Sequence, residues 1–297
     1  MIRFFFIRVL AALPVALLLA GCSSQIQPSP TESSTRPAES SATPPKFWFK
    51  KHTATRNNKT YHAGEKSPAP DGYTLGIAEV YKRLNKSLST RNRNQYINAM
   101  VAPLNPRMTN DSLVKFKQDF LRIGIDVEKD EKSRLRALFV LLYELGVRES
   151  DGRYFLGIDD GRYKSKEAKE RLASNDPKVK LTVGSETEAG LFQSSWDFAE
   201  SNRIAEALFD DFEAGKRTDD LLETFQVGVG QPKSSDLKNW GLGKGALFQE
   251  FTKKSPLFAV EYAALTVRKP GASNYHFTHL NMMDFNPDVL RWLISLE

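Results

Sequence analysis

Between residues 131 and 149 four leucines stand at helical spacing, Leu135, Leu138, Leu142 and Leu145, and the next step along that stripe is Glu149. Steps of three and four residues return to one face of an α-helix. The pattern predicts a core helix over Glu131–Arg148 and sets a carboxylate on its apolar face, at the C-terminal end. Two effects favour the neutral acid there: burial disfavours the anion, and the negative end of the helix dipole does the same. A carboxylic acid that keeps its proton can serve as a general acid toward a leaving oxygen. The plainer alternative is a frayed helix end, with Glu149 turned to solvent beside Arg148.

Elsewhere the chain also reads mainly as helix. Helical spacing predicts Ile77–Leu88 and Thr109–Ile123, the second after an Asn110-Asp111-Ser112 start signal. Further helices are expected at Ser165–Ala173, Leu191–Phe212, Thr218–Phe225, Leu247–Thr252, Leu257–Arg268 and Pro287–Leu296. Period-two alternation is scarce, and Lys178–Val183 is the best strand candidate. No repeat of solenoid length is present. With 40% apolar and 26% charged residues the bulk is globular, so the expected fold is mostly α with at most a small β element, in one domain over 71–297.

The N-terminus carries a different signal. Arg3 and Arg8 precede an apolar run, Val9–Leu19, and then Leu19-Ala20-Gly21-Cys22. A basic start, a short apolar stretch and small residues before a cut describe a secretory signal over 1–21. The run is far short of the ~20 residues that span a bilayer as a helix. Leu-Ala-Gly-Cys resembles the lipobox of bacterial lipoproteins, which implies that Cys22 carries the lipid. Ser23 follows where an inner-membrane retention signal would show Asp, so the resemblance implies the outer membrane, facing the periplasm. Residues 23–45 hold seven Ser, five Pro and three Thr, a composition expected to form a disordered tether. Lipid anchor and linker together take residues 22–70.

Charge and cysteine content narrow the chemistry. Of the net +6, Arg3 and Arg8 precede the cut, which leaves +4. That excess suits anionic polymers or membrane surfaces and is too small to argue for nucleic acid. One cysteine excludes a thiolate zinc site, an iron–sulfur cluster and an intramolecular disulfide. No Gly-rich phosphate loop, HExxH or GxSxG motif occurs. His276 and His279 are three apart with no third ligand in view, so neither a metal nor any other cofactor is expected.

Forty-one residues beyond Glu149 stands Gly190-Leu191-Phe192-Gln193. Together with Glu149-Ser150 this resembles the lysozyme-like superfamily, in particular the catalytic domain of soluble lytic transglycosylases. That family carries a helix ending in Glu-Ser, then a Gly-Leu-Met-Gln segment that walls the sugar cleft. The resemblance implies a lysozyme-like helical domain, Glu149 as catalytic acid/base, and Ser150 positioning the substrate or the carboxylate. It also implies Phe192 as apolar wall and Gln193 as an amide for the substrate. The implied partner is the peptidoglycan glycan strand. Two departures stand out. The gap between the motifs is longer than in that family, so Phe155–Ser185 reads as an insertion, and the family's later Ala-Tyr-Asn-Ala-Gly segment has no match.

Other residues offer weaker options. Asp159-Asp160-Gly161, Glu186 or Glu188 could add the second carboxylate of a hydrolytic glycosidase, although Asp-Gly more often marks a turn. Tyr275, within Asn274-Tyr275-His276-Phe277, could stack on a sugar ring or simply pack. Three functional readings follow: a membrane-anchored lytic transglycosylase, a lysozyme- or chitosanase-like hydrolase, and a non-catalytic lipoprotein that binds peptidoglycan or a protein. Nothing in the sequence speaks to oligomeric state.

Overall fold

The computed structural model describes residues 43–48, 52–56, 59–63, 68–90, 93–157, 166–197, 202–268 and 285–297. Cys22, Asp159, Asp160, Asn274, Tyr275, His276, Phe277 and His279 lie outside them. The described chain is mostly helical, as the sequence predicts. One two-stranded antiparallel pair precedes the helices, β1 (His52–Arg56) and β2 (Lys59–Ala63), in the register His52 to Ala63 and Arg56 to Lys59. This stretch was expected to be linker. The compact unit in fact reaches back to Thr43, and Phe47 is buried edge-on against Tyr143.

Twelve helices follow among the described residues. The first four are α1 (Asp71–Leu88), α2 (Gln95–Met100), α3 (Ser112–Lys115) and α4 (Lys117–Arg122). Next come α5 (Glu131–Ser150), α6 (Lys166–Ala173), α7 (Pro177–Glu186) and α8 (Arg203–Glu213). The last four are α9 (Leu222–Gln226), α10 (Gly243–Lys254), α11 (Pro256–Val267) and α12 (Pro287–Ser295).

Helix α5 runs through the core of the described unit. It starts where Asp130 accepts the Ser133 amide at 2.6 Å, and from Leu135 to Arg148 all but one of its residues are buried. A helix apolar on one stripe lies on a core; one buried on every side runs through it. Helix α1 crosses α5 at Gly146, where the Tyr73 hydroxyl occupies the space a side chain would need. That hydroxyl donates to the carbonyls of Leu142 (2.9 Å) and Tyr143 (3.0 Å). Helix α11 is buried along all twelve residues. Its start is fixed by Pro256 and by Asp219, whose carboxylate accepts both the Ser255 hydroxyl and the Leu257 amide at 2.9 Å. Trp196, Phe209, Phe248, Phe258 and Tyr262 form a continuous aromatic run between α8, α10 and α11.

The structure corrects three sequence expectations. Lys178–Val183 is not a strand but the body of α7. Asp176 accepts the Lys178 amide at 2.9 Å, Pro177 takes the first helical position, and Gly184 packs against Gly245 of α10. Cap and packing override a short alternation of apolar and polar residues. Leu191–Phe212 is not one helix. The chain turns sharply at 190–193, and α8 begins only at Arg203, with Asn202 accepting the amides of Ile204 and Ala205. Thr109–Ile123 breaks at Phe116 into α3 and α4.

Candidate functional site

Helix α5 ends at Ser150, and the next two residues reverse the chain. Asp151 (φ 54°) and Gly152 (φ 70°) are left-handed, and their amides donate back to Val147 (3.0 Å) and Gly146 (3.1 Å). Glu149 sits in this last turn, partly buried, with its Oε1 shielded from solvent. Its neighbour Ser150 is buried and spends its hydroxyl on the Gly146 carbonyl at 2.9 Å.

The Gly190–Gln193 segment is a tight turn closed by a two-way bridge. Ala189 and Ser194 exchange amide-to-carbonyl hydrogen bonds at 3.0 and 3.1 Å. Two left-handed residues make the turn possible, Gly190 (φ 78°) and Gln193 (φ 45°). Glycine is required at the first, since a Cβ there would lie 2.8 Å from the Thr252 carbonyl oxygen. At the second, a non-glycine residue is strained by about 1–2 kcal/mol. Its own side chain holds it: Gln193 Nε2 donates to the carbonyls of Gly190 (3.0 Å) and Gly157 (3.1 Å). The Gln193 Oε1 is buried and, among the described residues, accepts no hydrogen bond.

These bonds tie the Gly190–Gln193 turn to the chain that follows α5. The Gly190 amide donates to the Leu156 carbonyl at 2.9 Å, and Gln193 reaches Gly157, so the turn is laid along residues seven and eight positions beyond Glu149. A third segment joins at the same residue, where the Gly157 amide donates to Asp236 Oδ1 at 3.3 Å. The loop that carries Asp236 is pinned in turn by Lys253, whose ammonium donates to the carbonyls of Asp236 (3.0 Å) and Lys238 (2.7 Å). Burial pushes the Lys253 ammonium down to about 8.

The remaining candidates fall into place around this centre or away from it. Phe192 is buried in the core, so it supports the turn from inside instead of facing solvent. Glu188 is buried one residue before the bridge, whereas Glu186 lies at the end of α7 in an exposed ion pair with Arg171 (3.1 Å). Sequence reasoning missed a buried ion pair one turn before Glu149, in which Arg148 Nε donates to Glu144 Oε1 at 2.7 Å. Its signal is the Glu-to-Arg spacing of four on a helix. Among the described residues no group of three or more His, Cys, Asp or Glu stands close enough to hold a metal ion, and no helix is long and apolar enough to cross a membrane.

Comparison with known proteins finds no matching family model, no similar curated protein and no similar solved structure.

Proposed function

We propose that this protein is a lipid-anchored, peptidoglycan-cleaving lytic transglycosylase with Glu149 as its acid/base. The reading rests on Glu149-Ser150 and Gly190-Leu191-Phe192-Gln193 as motifs. The observation that carries it is the pair of hydrogen bonds laying the second motif along the residues that follow the first. Backbone strain and an unsatisfied buried acceptor at Gln193 support it, since both features concentrate where a ligand completes the structure.

In this mechanism the Glu149 carboxyl protonates the glycosidic oxygen between N-acetylmuramic acid and N-acetylglucosamine as that bond breaks. The resulting carboxylate then takes the proton of the muramyl C6 hydroxyl, whose oxygen closes onto C1 to form the 1,6-anhydro ring. One side chain gives and recovers one proton, and no water is consumed. Gln193 is the residue this reading assigns to hydrogen-bond a sugar hydroxyl. The lipid on Cys22 and the Ser/Pro/Thr-rich stretch after it would hold the domain within reach of the cell wall.

The test is to incubate the protein with purified sacculi and weigh the released fragments by mass spectrometry. Anhydro-ended muropeptides support the reading. Reducing ends make the protein a hydrolase, and binding without release makes it a non-catalytic lipoprotein.

A further inference from the structure

At the end of α5 opposite Glu149 lies a cavity of about 850 Å³, between the last turns of α1 and the first turn of α5. Lys82, Lys86, Lys132 and Arg134 line it, facing three acids, Asp130, Glu131 and Glu297. Each acid is already engaged. Asp130 caps α5 through the Ser133 amide, and Glu131 is gripped by both terminal nitrogens of Arg93 at 2.5 and 2.7 Å. Glu297 is held by Arg136 (2.6 and 2.8 Å) and Lys132 (2.6 Å).

The cations are not all matched in return. Arg134 is only 6% exposed, and its Nε and Nη1 donate to the backbone carbonyls of Val101 (2.7 Å) and Val127 (3.4 Å). Among the described residues no carboxylate lies within ion-pair distance of Arg134, and none of Lys86. Arg134 thus lines the cavity with its hydrogen bonds going to backbone carbonyls and not to a carboxylate. The positive end of the twenty-residue α5 dipole is directed to the same place.

We propose that this cavity is a binding site for a small molecule carrying a phosphate or clustered carboxylates, with the anionic group seated against Arg134 and Lys86. Its volume falls in the range of roughly 300–1,000 Å³ typical of small-molecule sites, so it takes more than a single ion. The proposal stands apart from the Glu149 reading, which uses the other end of the helix.

Isothermal titration of the full chain in detergent micelles tests it, with inorganic pyrophosphate and citrate as probes at constant ionic strength. Saturable one-to-one binding of either probe is expected, and which one binds more tightly identifies the anionic group. Lys86 is exposed, so Lys86→Glu reverses a charge without disturbing the core. It should weaken binding by at least about tenfold, the equivalent of one lost charge-assisted hydrogen bond, and Lys86→Arg should restore it. Absence of saturable binding by both probes overturns the proposal. So does equal binding by Lys86→Glu, or a heat that sodium chloride of the same ionic strength reproduces.

Discussion

Arg148 and Glu144 form an ion pair inside the core: both side chains are 1% exposed, one helical turn apart on α5. Two charges removed from water gain little net stability from each other, yet breaking such a pair is expensive because one charge stays behind. Arg148→Met should therefore lose about 3–5 kcal/mol of folding stability. The double variant Glu144→Gln with Arg148→Met should recover a large part of that loss. Urea denaturation of the three proteins measures it, and additive losses would refute the coupling.

The turn at 190–193 makes a prediction about backbone strain. Gln193→Gly and Gln193→Ala both delete the side-chain hydrogen bonds, but only glycine accepts a φ of 45° freely. The glycine variant should be more stable than the alanine variant by about 1–2 kcal/mol, read from thermal unfolding. Gly190→Ala should be destabilising, because it adds both the same strain and a close approach to the Thr252 carbonyl oxygen.

For catalysis, Glu149→Gln keeps size and polarity but cannot give or take the proton. Muropeptide release should fall by about 10²–10⁴-fold while circular dichroism stays unchanged. Glu186→Gln, at an exposed ion pair with Arg171, should release muropeptides nearly as the parent does. Near-normal release by Glu149→Gln would remove the proposed chemistry.

Acid stability should depend on Glu297. Burial alone would raise its carboxyl, but hydrogen bonds from Arg136, Lys132 and Tyr81 outweigh that and hold it down at about 2, against 4.5 for the free side chain. A carboxylate lowered in the folded state stabilises fully above the unfolded value, and that contribution drains away as pH falls toward the folded one. The melting temperature should thus drop between about pH 4.5 and 2. In Glu297→Gln this part of the pH dependence should be missing, at the cost of lower stability at neutral pH.

Anchoring is tested through Cys22. Cys22→Ala should abolish labelling by a palmitate analogue and move the protein from the membrane to the soluble fraction. Equal labelling of the two proteins would mean that the Leu-Ala-Gly-Cys match is accidental.

Helix α5 was legible because four leucines at alternating spacings of three and four admit one secondary structure, and Glu149 falls on their stripe. What the stripe conceals is that α5 is buried on its other faces as well. Glu144 and Arg148 read as ordinary helix-surface charges in the sequence, yet both are buried in the folded chain. Short-range pattern also misled at α7, where the alternation in Lys178–Val183 reads as a strand although Asp176 and Pro177 start a helix there. The turn at Gly190 could be found only as a motif. Its left-handed geometry is dictated by Thr252 and Gly157, neighbours that no local window contains. Of the candidate site residues, Glu149 and Gln193 are proposed from sequence motifs, while Gly157 and Asp236, which tie the segments together, carry no local signal.

Gly157 also says something about the order of events as the chain folds. Its carbonyl is joined to a residue 36 positions away and its amide to one 79 positions away. Each link closes a long loop, an entropic cost met before the contact returns anything, whereas α5 closes only local turns. Loop-closure cost alone therefore favours early formation of the helix bearing Glu149 and late formation of the 190–193 turn. On this ordering a newly made chain would first build its helical core and only afterwards close the turn that Gly157 holds.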